Sequence, residues 1–187
     1  MTEKVINNNI KRAWEHYSHA SLINDAKLWY PEMRDYVENL AKDNNLDVAQ
    51  TSGIFSSLSP QKSVSENKRL AESFLKGKRT GHYKNQIKKA ENILYTENAD
   101  EIEKILRGMK TISFFRNILD PKDNNYCTID THLIKLCNKG EILQITPRRY
   151  RIMSDCVKKH AKKVNLRVSE CQATLWIISK QLYGINV

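Results

Sequence analysis

Apolar residues recur at three- and four-residue intervals along almost the whole chain, and alternation with a period of two is nearly absent. That periodicity predicts helices near 9–24, 28–44, 46–58, 63–76, 82–95, 99–107, 111–119, 130–138, 147–164 and 168–183. A succession of short helices without a β-ribbon predicts an all-α protein. Its 187 residues suffice for one domain or two small lobes with a sizeable core. Six glycines and four prolines leave few places for breaks. The clearest loop is Asp120-Pro-Lys-Asp-Asn-Asn125, where proline and the Asx cluster oppose helix continuation.

Charge narrows the partner. Lys and Arg total 31 against 21 acidic residues, a formal +10, which favours a polyanion: nucleic acid or an acidic membrane surface. No apolar run reaches the ~18 residues of a membrane span. The N-terminal Met-Thr-Glu-Lys-Val-Ile-Asn-Asn-Asn lacks the apolar core of a secretory signal, so a cytoplasmic protein is expected. Cys127, Cys137, Cys156 and Cys171 are widely spaced in apolar-patterned segments. They read as reduced core thiols rather than disulfides or metal ligands.

Two segments carry chemistry. In Asn125-Tyr-Cys-Thr-Ile-Asp-Thr-His-Leu-Ile-Lys-Leu-Cys-Asn138, the residues Ile129, Leu133 and Leu136 fall at i, i+4 and i+7. The helix they predict puts Asp130 at its N-cap, with the carboxylate at the open end. About 20 residues earlier, Ile105-Leu-Arg-Gly-Met-Lys-Thr-Ile-Ser-Phe-Phe115 reads as a helix broken at Gly108 and restarted at once. Gly108 tolerates left-handed backbone angles, and the amides from Gly108 through Met109 and Lys110 to Thr111 can form an anion-binding concavity. An ordinary helix corner with a surface lysine has the same local pattern. Two further stretches are basic: Lys76, Lys78, Arg79, Lys84, Lys88 and Lys89, and the segment from Arg148 to Arg167. Such runs are also the ordinary dress of a solvated helix face.

A phosphate-gripping hairpin followed at this distance by a lone capping aspartate resembles the helix-hairpin-helix DNA glycosylase superfamily, endonuclease III most closely. The likeness extends from about Gly53 to Gly184. Gly53-Ile-Phe-Ser-Ser-Leu-Ser-Pro-Gln-Lys-Ser is similar to the family's DNA-facing Ser-x-Gln segment, with Gln61 matching the glutamine that enters the space left by an extruded base and Lys62 beside it. Lys88-Lys-Ala-Glu-Asn-Ile-Leu94 and Ala173-Thr-Leu-Trp-Ile-Ile-Ser179 match packing helices. The resemblance implies a single glycosylase unit over 1–187 with two lobes and an active site in the cleft between them. Lobe one would be 46–125, with the hairpin at 100–119, and lobe two 1–45 plus 126–187. It also implies Asp130 as the catalytic residue, double-stranded DNA as partner, no cofactor or metal, and a monomer.

The departures carry information too. The family hairpin reads Leu-Pro-Gly-Val-Gly, and here Lys110 replaces the second glycine. Without gaps, the Schiff-base lysine of bifunctional members falls on Ile112, which implies a monofunctional enzyme; a shift of two residues would place Lys110 there instead. The family's terminal four-cysteine motif is missing, so no iron–sulfur cluster is expected. A carboxylate near C1′ can stabilise oxocarbenium character and organise water. Trp14, Trp29 and Trp176 sit in apolar patterns and read first as core. Trp14, Tyr17, Trp29, Tyr30 and Ser57 are the candidates to wall a base pocket, since a base must be flipped out to be cut. His132 reads as structural. Small cluster-free relatives are linked to virus–host conflict, which points to excision of a modified phage pyrimidine, such as glucosylated hydroxymethylcytosine, in antiphage defence. Repair of alkylated or oxidised bases, phage base hypermodification and a non-catalytic DNA-binding module stand as alternatives.

Overall fold

The computed structural model describes residues 2–184. Met1 and residues 185–187, at the outer ends of the expected second lobe, lie outside the described residues. Within them the chain forms ten α-helices and no strand, an all-α protein. These are α1 (Glu3–Tyr17), α2 (Ala20–Asp43), α3 (Val48–Ser57), α4 (Val64–Leu75), α5 (Lys84–Ile93), α6 (Ala99–Leu106), α7 (Met109–Leu119), α8 (Thr131–Cys137), α9 (Pro147–Lys163) and α10 (Val168–Tyr183).

The main departure from the sequence pattern is at the front. The expected helix 9–24 is replaced by α1, which starts at Glu3 with Thr2 as its cap. It stops at Ser18, whose hydroxyl donates to the Trp14 carbonyl at 2.6 Å. His19 Nδ1 then accepts from the Leu22 amide at 3.3 Å and helps to start α2. That helix continues through Pro31, where the ring removes one backbone donor without ending the helix.

The chain divides into two compact units, residues 1–31 with 121–187, and residues 32–120. The boundaries fall at Pro31 and Asp120 rather than at 45 and 125, because residues 32–43 bond within the second unit. There the Arg34 guanidinium donates to the Leu119 carbonyl. Tyr36 donates to Glu72 at 3.0 Å and sets its ring 5.9 Å from Phe55.

In the unit 32–120, α3 is central: α4, α5, α6 and α7 all pack on it, and every residue from Ala49 to Ser57 is buried. Asp47 opens α3 with a capping box to Gln50. Gly53 is required by close approach, because a Cβ there would lie 2.7 Å from Ile102 Cγ2 and 3.2 Å from Ile93 Cγ2. In the unit of 1–31 and 121–187, α10 packs on α8 and α9, and α1 packs on all three. Asn9 ties α1 to the end of α8 by donating to the Cys137 carbonyl at 2.8 Å. All four cysteines are buried free thiols, and burial pushes each thiol pKa up, that of Cys156 to about 11.

Candidate functional site

Asp130 caps α8 with extended backbone, φ −105° and ψ −174°. One carboxylate oxygen, Oδ1, accepts from the Leu133 amide at 3.0 Å. The other, Oδ2, accepts from the indole N–H of Trp176 on α10 at 2.9 Å. The approach to the cap is also held. Cys127, Thr128 and Ile129 are buried, and the Tyr150 hydroxyl donates to the Cys127 carbonyl at 2.9 Å while accepting from the Ile129 amide at 3.1 Å. The Tyr30 hydroxyl lies 3.2 Å from Thr128 Oγ1 and 2.8 Å from Gln172 Oε1. Asp130 itself is only half-buried. It is therefore a partly exposed carboxylate set on a rigid frame, with each oxygen oriented by an N–H donor and retaining lone-pair capacity.

Trp176 is the residue the apolar pattern conceals. Its ring lies 5.9 Å from Trp29, edge-on to His132 at 5.8 Å, and under the Lys180 ammonium at 4.6 Å. The available signal was the indole N–H, which seeks an acceptor when it is taken from water. The His132 backbone carbonyl accepts from Ser179 Oγ of α10 at 2.5 Å.

The other candidate pocket residues separate. Trp29 meets both Tyr30, at 4.6 Å, and Trp176, which joins it to the Asp130 cluster. Trp14 stacks edge-on against His160 of α9 at 5.0 Å. Tyr17 is 45% exposed and lines a cavity of about 330 Å³ with Arg12, Leu136 and Lys139, without Asp130. Tyr30 and Ser57 are buried, and Ser57 donates its hydroxyl to the Ile54 carbonyl of its own helix. That makes Ser57 a core residue of α3 rather than a pocket wall.

The hairpin lies in the unit 32–120. The left-handed residue is Arg107, at φ 60° and ψ −12°, while Gly108 is extended at φ −105° and ψ 129°. The expected positive φ at Gly108 is thus displaced by one residue, since the N-cap of α7 needs extended backbone. Gly108 matters instead by lacking a side chain. A Cβ would sit 3.3 Å from Thr111 Oγ1, and α7 begins with no side-chain cap. The helix also starts two residues sooner than expected, at Met109, so Lys110 and Thr111 stand in its first turn. Ile112 follows, its amide donating to the Gly108 carbonyl at 2.8 Å.

Part of the basic surface serves the fold. Lys89 donates to the last carbonyl of α6, Leu106, at 2.7 Å, and burial together with Arg107 lowers its ammonium pKa. Arg79 pairs with Glu91 at 3.2 Å and stacks over Phe74 at 4.0 Å. Lys76, Lys78, Lys84 and Lys88 are exposed. Lys159 pairs with Glu3, and Arg149 donates to the Gln144 carbonyl at 3.1 Å. Gln61 has a left-handed φ of 59° and accepts from the Tyr83 hydroxyl at 2.6 Å, with Lys62 next to it. Among the described residues no helix is long and apolar enough to cross a membrane.

The chain belongs to a family of unknown function (DUF7178), which matches residues 1–182. No curated protein and no solved structure matches it.

Proposed function

We propose that this protein is a monofunctional DNA N-glycosylase of the helix-hairpin-helix type, with Asp130 as its catalytic carboxylate. The observation that carries this reading is the setting of Asp130: partly exposed, at a helix N-cap, with one oxygen on the Leu133 amide and the other on the Trp176 indole. Donors from α8 and α10 hold the carboxylate without reorganisation as the sugar acquires positive charge. Its remaining lone pairs face that charge and order the attacking water. The first turn of α7 with Lys110 grips a backbone phosphate of the duplex, and the exposed lysines strengthen the hold in a salt-dependent way. Trp29, beside Trp176, is the best placed of the aromatic candidates to meet an extruded base. Ile112 occupies the ungapped position of a Schiff-base lysine, so water rather than an amine attacks.

The substrate on this reading is a modified pyrimidine of phage DNA, with glucosylated hydroxymethylcytosine the first to test, and the product is abasic DNA that blocks phage replication. Unmodified, alkylated, oxidised and hypermodified duplexes are incubated with the protein and scored for abasic sites. Release of base by wild type, and its loss by orders of magnitude in Asp130→Asn assayed well below that variant's melting temperature, support the reading. Binding to every duplex without release from any, or equal release by the variant, refutes it. Little covalent adduct should form under borohydride; strong trapping that disappears in Lys110→Gln would move the nucleophile to Lys110.

A further inference from the structure

A cavity of about 500 Å³ in the unit 32–120 is lined by Gln61, Lys62, Gly81, His82 and Tyr83. It forms where two loops meet, one leading into α4 and the other into α5. Both loops need unusual backbone: Gln61 at φ 59° and Gly81 at φ 92°. Three of its features point to a ligand. No carboxylate lines it, and Lys62 supplies a cation. Tyr83 is 57% exposed, so its ring offers a face to solvent, and His82 lies against it with centroids 5.2 Å apart and planes inclined by 39°. The Tyr83 hydroxyl holds the Gln61 carbonyl oxygen, which leaves the Gln61 amide N–H groups to donate elsewhere. Burial, and then the charge of Lys62, hold the His82 pKa below the ordinary histidine value, so the ring is neutral and suited to stacking.

We infer that this cavity binds one unpaired nucleotide, its phosphate on Lys62 and its base on the exposed face of Tyr83. A cation beside an aromatic platform is the chemistry of single-strand recognition, because every base offers a π-face and every nucleotide a phosphate. The inference rests on the nucleic-acid reading above and extends it, since it makes DNA with a short single-stranded stretch a better ligand than a blunt duplex. It does not depend on base release at Asp130. The platform tolerates any sequence, because neither stacking nor a phosphate contact reads base edges.

Fluorescence anisotropy with labelled DNA tests the idea, using a blunt duplex, the same duplex with an unpaired extension, and a single strand. Wild type should bind the extended duplex more tightly than the blunt one. Tyr83→Ala should weaken the extended duplex and the single strand by about fivefold to a hundredfold, the range of one lost base stack, and leave the blunt duplex nearly unchanged. Tyr83→Phe keeps the ring and should retain most of the affinity. Unlabelled mononucleotide competing at millimolar concentration would make a free nucleotide the ligand; competition only by oligonucleotide would make it part of a strand. Equal affinity of Tyr83→Ala and wild type for the extended duplex, or an equal loss on all three DNAs, overturns the inference. Lys110→Glu separates the two readings, because it should weaken the blunt duplex and leave the preference for the extension in place.

Discussion

Replacing Asp130 by asparagine looks innocuous, since the two residues cap helices about equally well. The structure says otherwise. Two N–H donors converge on the carboxylate, from Leu133 at 3.0 Å and from Trp176 at 2.9 Å. A carboxamide has one oxygen, so whichever donor it satisfies, the other faces its NH2 group. Asp130→Asn should therefore cost about 2 kcal/mol, a charge-assisted bond exchanged for a poorly satisfied donor. Trp176→Phe should cost about the same, through the lost bond and a small packing defect. In the Trp176→Phe background the amide can cap Leu133 and turn its NH2 to water, because Asp130 is partly exposed. The second substitution should then cost only about 0.5 kcal/mol, a coupling of about 1.5 kcal/mol. Urea denaturation of the four proteins measures it, and each single variant should melt about 4–8 °C lower than wild type. Additivity within about 0.5 kcal/mol would refute the shared bond.

Gly53→Ala should destabilise by about 1–2 kcal/mol, because overpacking against Ile102 and Ile93 outweighs the better helix propensity of alanine; an unchanged denaturation midpoint would show that the contact relaxes freely. Burial, and then Lys163, hold the His160 pKa below the ordinary 6.5, so the unfolded chain takes up a proton first. The stability of the neutral ring is present above about pH 6.5 and is lost as pH falls toward the folded value; melting temperatures from pH 7.5 to 5 should decline, and His160→Gln should flatten that decline. Lys110→Glu should weaken binding of unrelated duplexes by a similar factor and reduce the salt dependence, as a phosphate contact does; a loss confined to one sequence would contradict it.

The helices were legible because each has a buried stripe at helical spacing, and the Asp130 cap because an Asx residue three places before a buried leucine leaves few other structures. What the sequence hid were bonds made across long separations or by residues acting against type. The break at Ser18 depends on a hydroxyl returning to Trp14, the kind of side-chain-to-backbone bond that periodicity does not register. At the hairpin, glycine was the natural choice for a left-handed turn. Its place immediately before α7 demanded extended backbone, so Arg107 took the positive φ. Trp176 lies 46 residues from Asp130, and an apolar pattern ranks it as packing alone. An indole is also a donor, and the acceptor it finds is the one carboxylate singled out from local spacing. Packing and orientation thus share one side chain: the contacts that seat α10 on α8 also hold the carboxylate, so loss of the Trp176 N–H should lower stability and, on the proposed glycosylase reading, base release as well.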